Sequence, residues 1–135
     1  MTVKFDELRG DITYGVTVPP TAAGTAVEVP IIRLPFAALI TEILWIPSAA
    51  MAANASNYAT LTVRNRQAGA GNIAIASRAY NAGNGMANVP EVLAQAGSNE
   101  TLMPAAGDVL TAHFTHTGTG LAVPAGLVQI KLRIR

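Results

Sequence analysis

Val128-Gln-Ile-Lys-Leu-Arg-Ile-Arg135 alternates apolar and polar residues without a break. Successive side chains of a strand point to opposite faces, so Val128, Ile130, Leu132 and Ile134 turn toward a core while Gln129, Lys131, Arg133 and Arg135 turn away. The same period of two returns in Tyr58-Ala-Thr-Leu-Thr-Val-Arg-Asn-Arg66, with Ala59, Leu61 and Val63 inward. It returns again in Asp108–Thr117, with Leu110, Ala112 and Phe114 inward and Val109, Thr111, His113 and Thr115 outward.

Working outward from these three, Ile73–Tyr80 reads as a strand with Ile73 and Ile75 inward. Ala38–Ile46 reads as a strand because Ile40, Thr41, Ile43, Trp45 and Ile46 are β-branched or aromatic. Thr25–Leu34 carries Pro30, which confines it to a sheet edge or breaks it, since proline has no ladder N–H. Glycine turns at 67–72, 81–85 and 117–120 separate the strands. Asn88–Ala94 fits a short strand or a helical turn. Seven or eight short strands and no long helical pattern predict an all-β, single-domain β-sandwich of antiparallel strands, jelly-roll-like in its connections.

Residues 1–24 read differently. Lys4, Asp6, Glu7, Arg9 and Asp11 lead to Val18-Pro-Pro-Thr21, which excludes a central strand. The segment is expected to be an extended N-terminal arm on a domain of residues 25–135. Its apolar residues Phe5, Leu8, Tyr14, Val16, Val18, Pro19 and Pro20 are the candidates for docking on a neighbour. Tyr14, Val16 and Val18 alternate with polar or small residues, which also suits a short edge strand.

Composition excludes several functions. The 135 residues contain no cysteine, so there is no disulfide, thiol nucleophile or zinc–thiolate site. Half the residues are hydrophobic but only 13% are charged, against about 25% in typical domains. Such a surface repels neighbours weakly and suits packing against protein. A net charge of +1 with dispersed cations does not suit nucleic acid. No apolar run is long enough to span a membrane, and Met1–Gly10 has no apolar core of a secretory signal.

Chemistry is sparse. His113 and His116, three apart on a strand, face opposite ways and are not expected to share a metal. The carboxylates are scattered, without a dyad spacing. Glu42, inside an apolar strand, calls for an exposed face or a cation such as Arg33. Gly69, Gly71, Gly83 and Gly85 lack the lysine and following helix of a phosphate loop. Trp45 belongs in the core. The expectation is a protein that is not an enzyme, with no cofactor, no metal and no small-molecule substrate.

Ala59-Thr-Leu-Thr-Val-Arg-Asn-Arg66, the run Ala105–Gly120 with its Gly-Asp-Val-Leu strand start, and Val128–Arg135 resemble small structural proteins of tailed bacteriophages, the β-sandwich capsid decoration, or cement, proteins. The likeness is one of composition and strand style over about residues 25–135, and it carries no invariant contact residue. It implies a virion protein on the outer capsid surface, a homotrimer bound to the major capsid protein and bridging its subunits. The rival readings are a receptor- or glycan-binding module of a head fibre or tail and, ranked last, a cupin-like enzyme.

Overall fold

The computed structural model describes residues 10–135. Nine strands follow one another, and the described residues include no helix: β1 (Ile12–Val18), β2 (Val27–Arg33), β3 (Ala38–Pro47), β4 (Tyr58–Asn65), β5 (Ile73–Ala79), β6 (Glu91–Val92), β7 (Ala94–Gln95), β8 (Val109–Thr117) and β9 (Gly126–Ile134). They form two antiparallel sheets, ordered β1-β9-β3-β6 and β2-β8-β4-β5-β7. The pairings nest: β1 with β9, β2 with β8, β3 with β6, β4 with β5. A long hairpin wound once around itself gives this order, which is that of a jelly roll.

The alternating strands behave as their pattern requires. Val128, Ile130 and Leu132 of β9 are fully buried, as are Ala59, Leu61 and Val63 of β4 and Leu110, Ala112 and Phe114 of β8. They meet Ile40, Ile43 and Trp45 of β3 between the sheets. Trp45 and Phe114 touch edge to face across that gap, with ring centroids 5.2 Å apart, a favoured aromatic geometry. Each such buried side chain contributes about 1.5–3 kcal/mol of burial free energy. Pro30 does sit in an edge strand, opposite Thr111 and beside a register shift.

Three local readings are refined. Residues 12–18, assigned to the arm, form an edge strand that pairs with β9 over seven consecutive positions, so the sandwich takes in more than residues 25–135. Ile73 lies on the inward face, opposite buried Asn65, but at the first position of β5 it is still 38% exposed. A register shift between Val63 and Arg64 opposite β5 buries both Ile75 and Ala76. The ambiguous stretch 88–94 becomes two strands of two residues on different sheets, β6 beside β3 and β7 beside β5. Buried Leu93 marks the crossing, its amide donating to the Ile43 carbonyl.

Gly126 opens β9 beneath the Trp45 indole. A Cβ there would collide with the ring and lie 2.6 Å from the Ile46 carbonyl oxygen. Gly126→Ala should therefore cost about 1–3 kcal/mol in denaturant unfolding. Gly97→Ala, where nothing lies within 4 Å, should stay within about 0.5 kcal/mol.

Candidate functional site

The winding of the strands brings four loops, residues 19–26, 48–57, 80–90 and 118–125, to one end of the sandwich. They are tied to one another through their backbones. Thr21 and Val123 exchange N–H···O bonds of 2.9 Å each, Met51 and Gly85 exchange bonds of 3.0 and 2.8 Å, and the Ser48 amide donates to Ala125. Side chains add to the ring. The Asn57 amide oxygen accepts from the Thr119 N–H and the Asn84 amide oxygen from the Ala53 N–H. His116 Nε2 lies 2.8 Å from the Thr25 carbonyl oxygen. Since a carbonyl only accepts, Nε2 is the donor in this bond, and Nδ1 is buried without a partner.

The loop of residues 80–90 is held most firmly. Arg78 spreads its guanidinium over the carbonyls of Ala79 (2.6 Å) and Gly83 (2.9 Å) and the Glu91 carboxylate (3.0 Å), and stacks 4.3 Å above the Tyr80 ring. The Tyr80 hydroxyl donates to the same Glu91 oxygen at 2.7 Å. Burial first, and then the neighbouring Glu91 carboxylate, push that hydroxyl's pKa far up, so it stays a donor. Gly85 is buried against this group, and any Cβ would lie 2.9 Å from Tyr80 Cε1 and Glu91 Oε1. Beyond it, the Asn88 amide donates to the Pro47 carbonyl, and Asn88 takes a left-handed φ of 60°.

This firmly held segment exposes apolar side chains. Among the described residues the exposed large hydrophobics are Ile73, Met86, Val89 and Val92, and three of the four fall within residues 86–92. Met86 is 64% exposed and Val92 63%. The backbone is fixed in a form that presents these groups to solvent, which makes this segment the candidate interaction surface.

No family model, curated protein or solved structure matches this chain. The surface must therefore be read from its own chemistry.

Of the seven arm residues proposed for docking, Phe5 and Leu8 lie outside the described residues. Val18 is fully buried in this chain's own core, and Tyr14 and Val16 are half-buried against it. Those three belong to β1's inward face. Pro19 and Pro20 are exposed and start the first loop of the tied end, the same end that carries Met86 and Val89. Sequence reasoning missed Met86, Val89 and Val92. The available signal was apolar residues in a stretch too interrupted by Asn84-Gly85, Asn88 and Pro90 to form a long buried strand.

The two outer faces differ. On the five-stranded sheet Glu28 accepts from Arg64 at 2.8 and 2.6 Å and from Thr111 at 2.6 Å, with Arg66 at 3.7 Å. His113 faces this group across the ladder, and burial pushes its pKa down, with help from Arg64 and Arg66 and against Glu28. The Glu28 carboxylate is neutralised by this group, and its two arginines leave one positive charge over. On the four-stranded sheet Glu42 pairs with Lys131 at 3.3 Å, not with Arg33, because Arg33 lies on β2 in the other sheet. Around that pair stand half-buried Leu44, Ile46 and Leu127.

The Arg64 guanidinium holds the Glu28 carboxyl down to about 2 from a starting value of 4.5. A depressed folded-state pKa adds stability above about pH 4.5 that is lost as pH falls through about 2. Glu28→Gln should therefore be less stable than wild type at pH 6, with the gap closing between pH 4.5 and 2, read by urea unfolding across that range. Arg78→Met should loosen the loop without unfolding the sandwich, raising amide hydrogen exchange at Gly85 and Asn88 at least tenfold while the amides of β9 stay protected.

Proposed function

We propose that this chain is a structural virion protein that binds the outer surface of a tailed-bacteriophage capsid and stabilises it by bridging major-capsid subunits. One observation carries the reading: an ordered, hydrogen-bonded loop end that displays Met86, Val89, Pro19 and Pro20 to solvent. Firmly held apolar groups suit a rigid protein partner, because little conformational entropy is lost when they are buried. The low charge of the chain supports the same reading. So does its resemblance in strand composition to decoration proteins.

A ligand that binds only the assembled shell stabilises it by mass action, in proportion to the logarithm of its free concentration over Kd. Bridging therefore needs affinity for the shell surface and no chemical step. The loop end offers apolar contact with a polar rim of Asn57, Asn84 and Asn88, the anatomy of a protein interface.

Purified protein should co-sediment with emptied heads of the phage whose genome encodes it and raise their melting temperature. The double substitution Met86→Ser/Val89→Ser should weaken that binding at least tenfold and leave the protein's own unfolding free energy within about 1 kcal/mol. Failure of the wild-type protein to bind heads, or binding unaffected by the double substitution, would overturn the proposal. Hits on a glycan array in place of head binding would favour the receptor-binding reading.

A further inference from the structure

The outward face of the four-stranded sheet is self-complementary under a two-fold rotation. Its residues stand in cross-strand rows fixed by register. Gly15, Gln129, Leu44 and Val92 form one row from β1 to β6. Thr13, Lys131 and Glu42 form the next, and Thr17, Leu127 and Ile46 the row on the other side. An axis lying in the plane of contact, along the strands and between β9 and β3, sets β1 of one copy against β6 of the other and β9 against β3.

That rotation matches like with like and charge with opposite charge. Leu127 meets Ile46 of the second copy. Lys131 meets its Glu42, and with the ion pair already present in each chain (3.3 Å) the four charges alternate around a square. Val92, 63% exposed, meets Gly15, where β1 has no side chain. Beside Gly15 the surface sinks into a hollow of about 100 Å³ lined by Thr13, Glu42, Leu44, Gln129 and Lys131. Gln129 meets Leu44 of the second copy, a polar side chain against an apolar one, and the outermost row, with Arg133 bound to Asp11 of its own chain at 2.6 Å, gains no matched partner; that row lies at the rim, where sheet twist splays the copies apart.

We infer that a second copy of this chain covers this face, giving an isologous dimer that leaves the loop end free. This goes beyond the capsid reading and does not depend on it. Four strands about 4.8 Å apart and about seven residues of 3.3 Å each give a face on the order of 400 Å² per copy, about 800 Å² in all, below the standard size of a specific interface and in the range of a weak, transient one. The dimer should accordingly form at micromolar concentration. The three-fold association implied by the resemblance would leave these matches unused.

Sedimentation velocity on the full chain over a concentration series tests the inference. Wild type should move from one to two chain masses. Lys131→Glu makes the square wholly negative and Glu42→Lys makes it wholly positive, so each variant alone should stay monomeric to at least tenfold higher concentration. An equimolar mixture of the two should dimerise, because each copy then meets its opposite. The internal ion pair is broken in both variants, so recovery on mixing can only be intermolecular. Val92→Asp, at an exposed site that places no demand on folding, should also abolish the dimer. A persistent wild-type monomer, a trimer, or a dimer that survives both single charge substitutions would overturn it. Head binding is read separately, through Met86 and Val89, so either proposal can fail without the other.

Discussion

Trp45 seated against Phe114 sets the spacing of the two sheets at the end where the loops gather. Trp45 lies on β3 of one sheet and Phe114 on β8 of the other, both fully buried. The indole occupies the space over Gly126, so β9 must begin there without a side chain. With the sheets held at that distance, the loops of residues 19–26, 48–57, 80–90 and 118–125 come within hydrogen-bonding range of one another. The exposed ridge at Met86 and Val89 is a consequence of this: the Arg78–Tyr80–Glu91 group can grip the loop from beneath only because Glu91 stands opposite Trp45 in the ladder.

The molecule distributes its few charges so that its surfaces differ in character. On the five-stranded sheet, Glu28 is enclosed by two arginines and a threonine, so its own charge is fully satisfied within the chain. On the four-stranded sheet, the Lys131–Glu42 pair stands beside Thr13, Leu44 and Gln129, with the Arg133–Asp11 pair at the rim. A surface salt bridge of that kind adds little to the stability of one chain. It acts on specificity, since charges in a fixed pattern favour one docking geometry and oppose others. The loop end has no charge at its apolar ridge. Three regions of one small domain thus offer a closed polar face, a patterned face and an apolar end.

The β-sandwich was legible because period two is a direct consequence of strand geometry, and Val128–Leu132, Ala59–Val63 and Leu110–Phe114 are inward as their alternation requires. Pro30 was legible as an edge for the same kind of reason. The nested pairing was not, since alternation says which side of a strand is buried and nothing about its neighbour. The alternation of Tyr14, Val16 and Val18 suited the edge strand that β1 is, but the charged residues before it and the two prolines after it set the segment apart as an arm. Ile73 keeps the inward parity of Ile75 but stands at the strand's start, and the bulge that buries Ala76 beside Ile75 has no mark in the local sequence. Met86, Val89 and Val92 were hidden because an apolar residue is read as buried by default. Their exposure comes from tertiary hydrogen bonds that hold the loop outward, and Arg78 and Glu91, thirteen residues apart, give no sign of meeting.

The central claim is that a jelly roll stands on a capsid by its loop end. A cryo-electron microscopy map of the virion, at a resolution that separates strands, tests this most directly. The account predicts density for this domain on the outer capsid, with Pro19, Pro20, Met86 and Val89 against the shell. The claim would be contradicted by a capsid surface lacking the domain, or by a domain attached through the opposite end, at residues 66–72 and 96–108.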